Sequence, residues 1–240
     1  FFMIMVASGG GGDYENLPVG RYKATCYRII DMGTHKRSWQ DQPEKDKREL
    51  RIYWEITSQL QVENDAETWG DISMADGRPF SASKKYTASL HENATLHKDL
   101  KSWRGRSFTE AEVKGFELSN VLGVTCEIEI IEYGTEGKTA VDSLYKPDGG
   151  AKKVDTINEI EDFDVEIYCK EWTGESSEES KKMCDIFETL PPWLQEEITT
   201  SQEVEKAQGT KPPTPPPAPQ QGGGLADLSS NDKNDDNIPF

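Results

Sequence analysis

At 240 residues, 34% hydrophobic and 30% charged, the chain has room for one ordinary domain plus tails, or for two small domains. No apolar run reaches the ~18 residues of a membrane-spanning helix, and four scattered cysteines without a CxxC (Cys26, Cys126, Cys169, Cys184) exclude a disulfide framework. The formal charge of −17 is uneven: residues 1–120 hold 17 Lys/Arg against 18 Asp/Glu, residues 121–240 only 10 against 26, so the first half can still gather a cationic face.

The opening FFMIMV lacks the basic flank and cleavage site of a signal peptide and reads as a start-site remnant, with Met3 or Met5 as the expected first residue. With the glycine run SGGGG (8–12) it makes residues 1–19 a flexible lead. GRYKATCYRIID (20–31) is rich in strand formers and reads as a first strand. MGTHKRSWQDQPEKDKRE (32–49) has no apolar periodicity and reads as a long polar loop.

LRIYWEIT (50–57) alternates, with Leu50, Ile52, Trp54 and Ile56 on one face and Arg51, Tyr53, Glu55 and Thr57 on the other. That is a half-buried second strand. Residues 58–79 read as a polar connection containing the turn signal ADGRP, and PFSASKKYTASL (79–90) as a third strand. In ENATLHKDLKSWRG (92–105), Leu96, Leu100 and Trp103 fall at helical spacing before a terminating Gly105. TEAE (109–112) has the form of a capping box. VTCEIEIIEY (124–133), GTEGK (134–138) and TAVDSLY (139–145) predict a fourth strand, a turn and a fifth strand.

Strand, long loop, two strands, helix, strand, turn, strand is the connectivity of a five-stranded OB-fold barrel with a helix between its third and fourth strands. Residues 146–175 carry no clear pattern. SEESKKMCDIFETLPPWLQEEI (177–198) reads as a helical extension broken at Pro191 and Pro192, with Trp193, Leu194 and Ile198 as the apolar stripe of its second piece. The expected domain is thus 20–198. From 199 onward a disordered linker is expected, with KPPTPPPAPQQGGG (211–224) leading to the acidic end NDDNIPF (234–240).

Cations and aromatics of the first half fall in three places. The first loop offers Lys36, Arg37, Trp39, Lys47 and Arg48, running into Arg51 and Tyr53 on the polar face of the second strand. The third strand offers Lys84, Lys85 and Tyr86, and the end of the helix offers Arg104 and Arg106. Single-stranded nucleic acid is bound by this mixture, because cations track phosphates while flat rings stack on bases at ~1–3 kcal/mol each. Trp54 and Trp103 complete apolar stripes and are assigned to the core.

Nothing in the chain nominates an enzyme. His35, His91 and His97 do not make a ligand set, and no Ser/His/Asp or Cys/His arrangement is present. The carboxylate run Asp155, Glu159, Glu161, Asp162, Asp164, Glu166 reads as a solvated acidic stretch, with Mg²⁺ binding in a nuclease as the alternative. No metal and no cofactor is expected.

The terminal residues Asp235, Asp236, Ile238, Pro239 and Phe240 combine acidity with an apolar anchor, which suits a partner pocket with an apolar floor and a basic rim. DDNIPF resembles the acidic tip of bacterial single-stranded DNA-binding proteins, with Asn237 where the common tip has a third aspartate. LPVGRYKATCYRIIDMGT (17–34), KKYTASLHENATLHKDLKSWRGRSFTEAEVKGFELSNVLG (84–123) and FETLPPWLQEEI (187–198) resemble a phage protein family labelled as single-stranded DNA-binding. The resemblance implies an OB-fold and sequence-independent binding of single strands. It also implies a tip that recruits replication, recombination or repair proteins and competes with DNA, and a place in the cytoplasm of an infected bacterium. The alternative from another class is an acidic DNA mimic or adaptor that occupies another protein's DNA site.

Overall fold

A computed structural model of the chain describes residues 17–38, 43–63, 66–134 and 138–209. These residues are mainly β, with seven strands and six helices. The strands are β1 (Gly20–Arg37), β2 (Lys45–Glu63), β3 (Ala66–Asp71), β4 (Phe80–Thr87), β5 (Thr125–Glu132), β6 (Thr139–Tyr145) and β7 (Glu161–Phe163). The helices are α1 (Thr95–Arg104), α2 (Glu110–Gly115), α3 (Val165–Thr173), α4 (Glu178–Thr189), α5 (Pro192–Thr199) and α6 (Gln202–Gln208). Among them none is long and apolar enough to cross a membrane.

All seven strands share one sheet. Its main path is β3-β2-β1-β5-β6, β4 continues along the β2 edge that β3 uses, and every pairing is antiparallel except that of β7 with β1. β4 and β6 are not joined by a ladder, so the sheet is not closed. They are linked instead through a side chain, Lys84 Nζ donating to the Asp142 carbonyl. Two strands are added to the five expected. β3 forms a hairpin arm with β2 from residues read as a polar connection, and β7 comes from the stretch without a pattern.

The long polar loop expected at 32–49 is also largely strand. β1 runs on to Arg37 and β2 begins at Lys45, with Lys36 opposite Asp46 and Thr34 opposite Arg48. This ribbon has exposed positions on both of its strands and therefore no apolar alternation to betray it.

The alternation in β2 turns Leu50, Ile52, Trp54 and Ile56 inward, where they meet Leu96, Leu100 and Trp103 of α1 and Ile128 and Ile130 of β5. Trp54 and Trp103 pack edge to face with ring centroids 6.4 Å apart, and the Trp103 indole N–H donates to the Thr125 carbonyl at 2.8 Å. α1 stops at Gly105, whose φ of 65° is the left-handed geometry of a helix C-cap. The Thr109–Glu112 capping box forms as its sequence predicts.

A bulge in β1 between Cys26 and Arg28 shifts the facing of the residues that follow, up to a second irregularity between Asp31 and Gly33. Cys26 and Ile29 therefore serve the first core, while Ile30 and Met32 face the other way into a second one. That second core is made mostly by α3 to α6, from Val165, Tyr168, Met183, Ile186, Leu194, Ile198 and Val204. Asp164 caps α3 by accepting from the Glu166 and Ile167 N–H groups, and Pro191 and Pro192 separate α4 from α5 as predicted. The expectation of a disordered linker from 199 onward is corrected over Gln202–Gln208, which form α6 with Ser201 as its cap.

Candidate nucleic-acid interface

Strand geometry sorts the candidates before any contact is considered, because neighbours in a strand point to opposite faces. On β2 the residues Glu49, Arg51, Tyr53 and Glu55 face away from the first core, and β4 sets Lys85, Ser83 and Ser81 opposite the last three of its register. Tyr27 of β1 joins the same face. Its ring lies 6.2 Å from that of Tyr53, and its hydroxyl is 2.9 Å from Ser81 Oγ. Arg51 Nη1 donates to Ser83 Oγ at 3.1 Å.

Lys84 and Tyr86 leave this face by the same rule. Tyr86 is in the first core, its hydroxyl donating at 2.8 Å to Asp99, which Lys84 also meets at 2.8 Å. Burial first, and the Asp99 charge second, push the Tyr86 pKa well up, so the hydroxyl stays a donor. Tyr86 is therefore a core residue and has no ring face to offer a base.

The helical layer reaches the sheet face through α5. Its inward stripe is Leu194 and Ile198, and the adjacent stripe, Trp193 and Glu197, meets the sheet's polar face. The Arg51 guanidinium lies over the Trp193 ring at 5.0 Å. Glu197 Oε1 accepts from Arg37 Nη2 at 2.8 Å and from Lys85 Nζ at 2.5 Å. The same two cations hold Glu49 Oε2 at 2.6 and 2.8 Å. Burial opposes the Glu49 carboxylate, but the hydrogen bonds from Arg37 and Lys85 outweigh it and keep its pKa below the usual range. Trp193, expected in an apolar stripe, is instead 49% exposed.

The other arginines have different duties. Arg48 bridges Asp31 at 2.5 Å and Glu166 of α3 at 2.6 Å, fastening the ribbon to the helical layer. Arg104 and Arg106 both pair with Glu112, and the Arg104 guanidinium lies over the rings of Phe108 and Phe116 at 4.3 and 5.0 Å. They form a clasp between α1 and α2, not part of the sheet face. Lys36 is exposed on the ribbon beside Lys45 and Lys47. Trp39 and the tip residues Asp235, Asp236, Ile238, Pro239 and Phe240 lie outside the described residues.

Three carboxylates of the 155–166 stretch are engaged within the fold, Glu161 with Arg28, Asp164 as the cap of α3 and Glu166 with Arg48, while Asp155, Glu159 and Asp162 are exposed. Among the described residues no group of three or more His, Cys, Asp or Glu is placed to hold a metal ion. Sequence reasoning missed Tyr27, Ser81, Ser83, Glu49, Trp193 and Glu197. The spacing of Trp193 and Glu197, one helical turn apart and next to the Leu194–Ile198 stripe, was the signal available for the last two. Comparison with protein-family models, curated proteins and solved structures returned no match to this chain.

Proposed function

We propose that this chain is a sequence-independent single-stranded DNA-binding protein, with the sheet face of β1, β2 and β4 as its interface. The observation that carries the proposal is the convergence of Arg37, Arg51, Lys85 and Tyr53 on that face, drawn from three strands, beside the half-exposed Trp193 ring and at the base of a lysine-bearing ribbon. Cations spaced among ring faces suit a ligand with a regular backbone charge and stackable bases. The strand connectivity supports an OB-type reading: β1 joins β2 and β5, β4 lies beyond β2, β6 beyond β5, and α1 stands between β4 and β5. In this reading the protein covers single strands without hydrolysing a nucleotide and without a cofactor, and the tip from Asp235 to Phe240 recruits replication, recombination or repair proteins.

One observation favours a second reading. The cations of the face are matched by Glu49 and Glu197 in a chain of net charge −17, which suits an acidic DNA mimic or adaptor. Titration with a dT oligonucleotide at low and high salt separates the two. A binder quenches tryptophan fluorescence at low salt and loses affinity steeply as salt rises, because bound phosphates release counterions. No quenching and no complex at low salt overturns the binding proposal in favour of the mimic.

A further inference from the structure

We infer that Arg37 and Lys85 form a phosphate subsite whose resident occupant is the Glu197 carboxylate of α5. The inference rests on the DNA-binding reading and adds to it the identity of a contact and of its internal competitor. A single oxygen, Glu197 Oε1, lies 2.8 Å from Arg37 Nη2 and 2.5 Å from Lys85 Nζ. One anionic oxygen shared by a guanidinium and an ammonium is the arrangement a phosphodiester oxygen takes between two such groups.

The two carboxylates around these cations are not equivalent. Glu49 belongs to β2, its side chain is 9% exposed, and it forms the floor of the group. Glu197 arrives from the helical layer, with a side chain 20% exposed, while those of Arg37 and Lys85 are 38% and 31% exposed. Solvent thus reaches the cations beside Glu197, and a phosphate can replace Glu197 without disturbing Glu49. With both carboxylates present the four charges cancel. Withdrawal of Glu197 leaves one positive charge on the face, which is what a strand's phosphate neutralises. The face therefore stays shielded until a polyanion takes the place of Glu197, and every binding event competes with α5.

The test uses the full chain, fluorescence anisotropy with a labelled dT oligonucleotide, and a salt series. Glu197→Gln is compared with Glu196→Gln, which removes the same charge from the neighbouring, exposed position. Glu197→Gln is expected to bind about three- to tenfold more tightly at low salt, and its log-affinity against log-salt slope steepens by ~0.7, the signature of one more neutralised phosphate on a single strand. Glu196→Gln stays at the wild-type value. Lys85→Gln, which removes half of the subsite, weakens binding in the same assay and decides the matter if Glu197→Gln does not fold. Equal tightening by both glutamate variants means that only net charge matters and overturns the subsite. Wild-type affinity and slope in Glu197→Gln and Lys85→Gln also overturn it, while leaving DNA binding intact. Absence of binding by every form at low salt removes the DNA-binding reading itself and the subsite with it.

Discussion

Two hydrophobic cores share the strand β1, and they are built in opposite ways. The first draws Trp54, Trp103, Ile128 and Leu144 from strands and a helix far apart in sequence, so no segment can leave it without opening the rest. In the second, residues 165–204 supply nearly everything, and the sheet adds Ile30, Met32 and Phe163, with Tyr53 packed against them. The helical layer thus has a core largely its own, joined to the sheet along a narrow apolar seam and by ion pairs from Arg37, Lys85 and Arg48. A layer attached in this way can loosen while the sheet stays folded, as opening proceeds in cooperative units of unequal stability.

Removing a ring from the first core is expected to have the largest effect. Trp54→Ala deletes a fully buried side chain packed on Trp103 and is expected to cost ~3–5 kcal/mol. Sheet and helical signals should be lost together in denaturant, because the second core has no sheet to rest on once the first is open. Leu194→Ala in the second core should cost ~2–4 kcal/mol but distribute it unevenly. Hydrogen exchange is expected to speed up across 165–208 while the amides of β2 and β5 keep their protection. Uniform loss of protection in Leu194→Ala would show that the two cores unfold as one unit and break the contrast.

A smaller effect tests the seam. Gly33 has a φ of +80°, and a Cβ there would lie 2.5 Å from Ser201 Cβ and 2.8 Å from a Glu203 oxygen. Glu203 itself accepts from the Thr34 N–H and hydroxyl at 2.7 and 2.6 Å, which docks α6 on β1. Gly33→Ala therefore meets both a left-handed backbone and a blocked approach, at roughly 1–3 kcal/mol. The expected readout is faster exchange in α6 with β1's ladder to β5 unchanged. Unaltered exchange in α6 would mean that the seam does not hold the layer.

The same contrast explains what could be read from the sequence. β2 declared itself through Leu50, Ile52, Trp54 and Ile56 because one of its faces is buried, and α1 did so through Leu96, Leu100 and Trp103. The ribbon residues Lys36 and Arg37 and their partners 45–47 did not, since alternation marks burial and a largely solvated pair of strand ends has little to alternate. α3 was legible in principle: Asp164, then Val165, Tyr168 and Cys169 at helical spacing, then Gly174. The pairing of Lys84 with Lys85 as one cationic patch failed because adjacent strand residues face opposite ways. Glu197 as the neighbour of Arg37 and Lys85 lay beyond any local pattern, because a bulge in β1 and the docking of a separate helical layer create that contact.

The smallest effect belongs to an arginine cluster whose acid is local. Glu112 sits six residues after Arg106 and eight after Arg104, within its own capping box, so this clasp needs no distant element. Hydrogen bonding from Arg106, then from the Thr109 N–H, and then from Arg104 lowers the Glu112 pKa from 4.5 to about 2. A carboxylate whose folded pKa is depressed stabilises the fold fully above its unfolded value and loses that contribution as pH falls through the folded one. The Glu112 contribution is therefore intact above about pH 4.5 and gone below about pH 2. Following the Glu112 side-chain carbonyl by NMR should place its midpoint near the lower limit, and Arg106→Gln should move it upward. Glu112→Gln should flatten the acid dependence of Tm in this window while leaving the α3–α6 exchange pattern unchanged. Faster exchange in α3–α6 for that variant would mean that the clasp reaches the helical layer, and the separation between a local acid and a docked one would fail.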